Sequence, residues 1–271
     1  MCSQVGLDLD QIDPEIRSRM TLLAETTETV NDCARAAALA EEVFRYYDLY
    51  KPFEKFSAIE RRTVVLGTLF SDIGKTGPAD ANEHGQRLVA EMFAVEQVLD
   101  DKMPVTRFFT QFFVGDAVER VDRFRALGLD EWMSMREFWN LHSVWTLCIL
   151  QGDGVPKEAV SAAATHHLLE NVNPAAILTE GGRLDRYLGA HGRFERPEKL
   201  VVLLDKYDAA RRRGRRPHAD ALTWLRGLIQ ASVRFRGDVV FLSLIDAIDE
   251  VGRPRMTHDL TVSEKPSQAA H

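Results

Sequence analysis

The sequence predicts an all-α protein, and three observations carry that expectation. Apolar residues recur at spacings of three and four along most of the chain, which is the helical period. β-Branched runs are few, and the two that occur, VVLGTLF and KLVVLL, continue into helical patterns. Residues that start and stop helices fall between the periodic stretches. In order, Val30, Ala34, Ala37, Ala40 and Val43 mark a helix from Thr27 to about Tyr47. Ile59, Val65, Leu66, Leu69 and Phe70 mark a second from about Ser57 to Asp72, with Gly74 as its C-terminal stop. Leu88, Met92, Val95 and Leu99 form the inward stripe of a third, about His84 to Leu99. Shorter helices are expected at about 105–113 and 115–126. Asp130 reads as the N-cap of 131–150, and Pro156 suits the first turn of 156–169. Helices at about 196–212, 218–233 and 237–251 complete the set, and the polar tail 252–271, with Pro254 and Pro266, reads as loose.

Composition narrows the setting. A chain of 271 residues, 45% hydrophobic and 28% charged, has material for one large domain with a substantial core. A net charge of −7 argues against nucleic acid as a partner, because phosphate affinity comes largely from Lys and Arg. Cys2, Cys33 and Cys148 have no metal-motif spacing and cannot all pair, so a reduced, cytoplasmic environment is expected. The N-terminus shows neither a basic nor an apolar leader region, and no apolar run is long enough for a membrane span.

Against this background a scattered set of acids and histidines stands out. Asp72 lies in LFSDIGKTG, His142 in WNLHSVW, His166 and His167 in AAATHHLLEN, and Asp205 and Asp208 in VVLLDKYDAA. Each sits in or at the end of an apolar helical run, where an unpaired charge or imidazole is costly to bury. A divalent transition metal (Fe, Mn, Zn or Ni) would offset that cost at several positions at once, since imidazole nitrogen and carboxylate oxygen are its usual ligands. Adjacent histidines on a helix point about 100° apart. His166 and His167 therefore reach one site only near a helix end or between their two directions. Asp205 follows five apolar residues and is drawn inward; Asp208 lies one turn later on the same face. The basic run RRRGRR at 211–216 is either a phosphate-binding element or a solvated helix end.

The order D…H…HH…D, with DIGK after the first acid, resembles the HD-domain metal-dependent phosphohydrolase superfamily, and most closely its HD-GYP branch, which includes cyclic-di-GMP phosphodiesterases. The resemblance runs from about Asn31 to Ile248. NDCARAAALAEEV resembles the family's first helix, TVVLGTLFSDIGKTG its HD-motif helix, and LDEWMSMREFWNLH the helix that delivers the next histidine. AAATHHLLEN resembles the double-histidine segment, LLDKYDAARRRGRRPHADALTWLRGL the final-aspartate segment, and FRGDVVFLSLIDAI the C-terminal helix. The resemblance implies an HD-type helical bundle over 27–251, preceded by a segment 1–26. It implies metal ligation by Asp72, His142, His166, His167 and Asp205, with Lys75 near a substrate phosphate and Asp208 orienting a water or a ligating histidine. The implied reaction is hydrolysis of a nucleotide or cyclic-dinucleotide phosphate ester by metal-bound hydroxide.

The departures from the family pattern are specific. Ser71 stands where the HD doublet has histidine, and Asn31 where the earlier helix begins with one. Leu168 replaces the glutamate after the double histidine, and NVNPAAI replaces the GYP signature. The stretch of about 78–128 lengthens the interval before His142 and carries FFTQFFVGD, whose aromatics are candidates for exposure in a lid, a homodimer contact or a signalling interface. Two functions stay open: a phosphohydrolase with a reduced metal site, and a catalytically inactive module that binds a ligand or partner.

Overall fold

Asp13 opens the first helix, its carboxylate accepting from the Glu15 amide, with Pro14 at the first helical position. The computed structural model describes residues 12–152, 154–180, 183 and 194–253. Among them are eleven α-helices and no strand, extended pairing being confined to isolated bridges such as that between Pro104 and Ser134. They are α1 (Pro14–Thr26), α2 (Thr29–Tyr50), α3 (Ala58–Phe70), α4 (Glu83–Ala94), α5 (Val105–Phe112) and α6 (Ala117–Ala126). After these come α7 (Met135–Leu150), α8 (Lys157–Ala164), α9 (Arg196–Arg212), α10 (His218–Ala231) and α11 (Val239–Gly252). The all-α expectation holds.

Helix ends follow local chemistry more closely than the apolar periodicity does. Ser57 with Glu60 and Ser134 with Glu137 form reciprocal capping boxes at the starts of α3 and α7. Asp130, expected to cap the latter helix, instead accepts from the Trp132 amide in the preceding turn. Pro156 is the N-cap of α8 rather than part of its first turn. α3 ends at Phe70, and a 3₁₀ turn, Ile73–Thr76, carries the DIGK segment; the reversal after it falls at Gly77, whose φ is +89°. α4 ends at Ala94, five residues short of expectation, so Leu99 is exposed, as is Ile59 at the edge of α3.

α3 is the central element. It packs against α2, α8 and α9, and the α3–α8 contact is close because both faces are small. A Cβ at Gly67 would come within 2.7 Å of the Ala162 Cβ, and Ala159, Ala162 and Ala163 of α8 are fully buried. α7 lies across the 3₁₀ turn and α8, while α10 and α11 cover α9 on the other side. α1, from the segment the sequence sets apart, is tied to the DIGK turn. The Arg19 guanidinium, fully buried, donates to Thr76 Oγ1 at 3.0 Å and to the carbonyls of Pro78 and Ala79 at 3.1 and 3.0 Å.

The 78–128 stretch corrects one expectation. Phe108 and Phe109 are fully buried, and Phe108 packs on Phe112 while Phe109 packs on Phe124. Phe124 in turn contacts Phe138 of α7. These rings form core between α5, α6 and α7 because a short helix carrying three phenylalanines on neighbouring turns has no other way to remove them from water. No helix among the described residues is long and apolar enough to cross a membrane.

Candidate metal centre

Four elements bring the candidate residues together. Asp72 sits between the end of α3 and the 3₁₀ turn, His142 in the middle of α7, and His166 and His167 in the turn just past α8. Because α8 stops at Ala164, the two adjacent imidazoles escape the 100° helical divergence and converge. Gly74 sets the closeness of the DIGK turn to α7. A Cβ there would lie 2.0 Å from the His142 carbonyl oxygen and 2.6 Å from the Thr146 nitrogen. The Gly74 amide donates to Thr146 Oγ1, whose hydroxyl donates to the Ser71 carbonyl.

The histidine nitrogens face one another. His142 Nε2 lies 3.0 Å from His166 Nε2 and 3.1 Å from His167 Nε2, and ligating atoms of all three fall within 4.8 Å. Asp72 Oδ1 approaches His142 Nε2 at 3.4 Å and His166 Nε2 at 3.7 Å. The other ring nitrogens decide what this means. His142 Nδ1 bonds to the Trp139 carbonyl and His166 Nδ1 to the Ala163 carbonyl. A carbonyl oxygen only accepts, so both Nδ1 atoms carry a hydrogen, and in the neutral rings both Nε2 atoms present lone pairs.

His167 has two tautomers open to it. The Lys206 ammonium donates to its Nδ1 at 2.7 Å, which leaves the Nε2 hydrogen free to serve His142. Glu170 also touches Nδ1 and accepts from it once the hydrogen moves there, which turns Nε2 into a third lone pair. A single hydrogen from His167 satisfies only one contact, so the His142–His166 pair remains two lone pairs at 3.0 Å. An ion with nitrogen ligands at about 2.1 Å and roughly perpendicular bonds sets those nitrogens about 3 Å apart. The residues therefore fit a divalent transition ion, with Asp72 as the adjacent carboxylate.

Burial shapes the charges. It pushes His166 down to about 4, with the Asp205 carboxylate opposing, and holds His167 well below the usual imidazole range with help from the Lys206 ammonium. For Asp72, burial favours the neutral acid, but the Lys75 ammonium at 2.8 Å outweighs it and holds the carboxyl well below its ordinary range. For Asp205, burial is likewise opposed, chiefly by the Lys206 ammonium, and the result is about 2.

The comparisons with known proteins add no identity. No protein-family model matches the chain, and neither curated proteins nor solved structures give a match.

Asp72, Lys75, His142, His167 and Asp205 help to line a cavity of about 860 Å³, and Asp208 stands outside its lining. Asp205 pairs with Lys206 at 2.9 Å and stands outside the grouped nitrogens. Asp208 is 3.3 Å from the Arg35 guanidinium and 3.7 Å from that of Arg212. Ser71 donates to the Thr68 carbonyl, and Asn31, exposed, donates to Glu28. Of the basic run, Arg212 and Arg213 line the cleft, while Arg216 lies over the Trp224 ring. Two participants escape the sequence reading. Lys206 is a buried ammonium between two sequence candidates, and Glu170, three residues after His167, contacts both His167 Nδ1 and Lys206. The one available signal was a lysine on the inward stretch of α9.

Proposed function

We propose that this protein is a metal-dependent phosphohydrolase of the HD type acting on a nucleotide or a cyclic dinucleotide. The observation that carries the reading is the contact between two bare imidazole lone pairs, His142 and His166 Nε2, with His167 beside them. Between neutral rings such a contact is repulsive unless a metal ion or a shared proton lies between the nitrogens. A divalent ion held there supplies Lewis acidity toward a phosphoryl oxygen and lowers the pKa of water.

The chain's own groups supply the rest. Asp72 adds negative charge next to the histidines, and Lys75, paired with it, places an ammonium at the cleft where a phosphoryl oxygen gathers charge. Arg136 and Arg213 line the same cavity and suit a distal phosphate. Phe93, Trp139 and Trp224 offer aromatic faces for a base, and the volume lies within the range of small-molecule sites.

The competing reading is an inactive HD-type module that binds a ligand or partner. It is favoured by Ser71 and Asn31, neither of which offers an imidazole, and by the side chains that already occupy Asp205 and Asp208. Elemental analysis of the wild type beside Asp72→Ala and His167→Ala, followed by a phosphodiester hydrolysis assay with Mn²⁺ or Fe²⁺, separates the two. Bound metal with turnover, both lost in the variants, supports the hydrolase. Bound metal without turnover supports the module, and absence of metal from the loaded wild type sinks the metal reading.

A further inference from the structure

Lys206 is an unusual residue to find where it is. It sits on α9 next to Asp205, 3% exposed, after the buried apolar run Leu200–Leu204. Its ammonium has three hydrogens and meets three acceptors. It lies 2.9 Å from an Asp205 oxygen, 2.9 Å from a Glu170 oxygen and 2.7 Å from His167 Nδ1. The donor capacity of the group is thus fully used. A buried ammonium with two carboxylates and an imidazole nitrogen around it occupies the same electrostatic role that a metal ion fills between acidic and imidazole ligands.

The neighbouring acids are equally committed. Asp208 faces the guanidinium groups of Arg35 and Arg212, and Asp32 faces the same two groups. Bringing a second divalent ion to Asp205 would place it against the Lys206 ammonium or require that side chain to leave. The three histidines stand differently, since two of them present lone pairs to each other.

Resting on the reading of the histidine cluster as a metal site, we propose that the centre takes one divalent ion per chain, and that the Lys206 ammonium, fixed between Asp205 and Glu170, holds the place of a second. Lys206 is then a positioning residue: it fixes Asp205 and limits the nuclearity of the site. Asp205 serves the ammonium rather than the ion.

The test is a count. The full chain is stripped with chelator and titrated with Mn²⁺ alone, and bound ion is measured by elemental analysis with electron paramagnetic resonance of the same samples. The expected result is one equivalent with the spectrum of an isolated Mn²⁺, kept in Asp205→Asn and lost in His166→Ala. Lys206→Met, which frees two carboxylates at nearly constant volume, is expected to admit a second equivalent with spin coupling between the ions. Two coupled ions in the wild type would overturn the proposal and leave the metal reading standing. Loss of the ion in Asp205→Asn, or a Lys206→Met protein that still binds one, would also overturn it. No ion in the wild type would remove both readings together. Circular dichroism checks folding; should Lys206→Met fail to fold, the wild-type and Asp205→Asn counts still decide.

Discussion

The histidine cluster and the acids of α9 belong to neighbouring parts of the molecule, yet they meet opposite surroundings. Around Asp205 and Asp208 every negative charge has a nearby cation from the chain itself: Lys206, Arg35 or Arg212. Around His142 and His166 two acceptors meet each other, and their donors are spent on the carbonyls of Trp139 and Ala163. The acid side is internally neutralised and reads as structure. The histidine side is internally mismatched and reads as a place for a ligand. Residue type alone does not rank them, since carboxylate and imidazole both ligate divalent transition metals. What separates them is whether the partner comes from within the chain.

The sharpest way to break this contrast is to remove the neutralising charge. Lys206→Ala leaves Asp205 and Glu170 facing each other, and unfolding by urea should show a loss on the order of 3 kcal/mol. A loss below about 1 kcal/mol would mean the acid side is a solvated surface.

The histidine side should respond to pH instead. The folded value of about 4 for His166 lies below its unfolded 6.5, so the unfolded chain takes up the proton first. The contribution is fully present above pH 6.5 and is lost as pH falls toward about 4. For His166 alone it amounts to at most about 3 kcal/mol. Chemical denaturation of metal-free protein between pH 7.5 and 4.5 should trace that loss, and His166→Asn should flatten it.

Smaller effects sharpen the picture. Glu170→Ala removes the acceptor that lets the His167 hydrogen move to Nδ1, so Mn²⁺ affinity should fall roughly ten- to a hundredfold by calorimetry while the count is unchanged. Ser134→Ala removes only the cap of α7, two turns before His142. It should cost about 1 kcal/mol in thermal stability and leave ion affinity as it was.

Much of the fold was legible because helical periodicity and capping chemistry are local. α9 begins and ends at 196 and 212, where the sequence placed it. The failures share a cause. Leu99 and Ile59 fit an apolar stripe but had no partner helix opposite them, and the stripe itself does not say where the helix stops. The phenylalanines around Phe108 and Phe109 were read as candidates for exposure because their partners, Phe124 and Phe138, lie 15 or more positions away in the chain, beyond the reach of local pattern. Asp72, His142, His166 and His167 were recognisable as chemistry-bearing residues in apolar surroundings. Their convergence was not, because it depends on α8 stopping before His166 and on a glycine at 74 that admits the backbone of α7.

By itself, then, the sequence determined the helical class, most helix positions and the inventory of acids and histidines, since these follow from spacing and from the cost of burying polar groups. The tertiary structure decided which of those groups are matched. A charge is neutralised by whatever is nearest in space, and Arg35 reaches Asp208, Arg212 reaches Asp32 and Lys206 reaches Glu170 across elements far apart in the chain. The mismatch at His142 and His166 arises in the same way, from the carbonyls that fix their hydrogens and the packing that turns their remaining nitrogens toward each other.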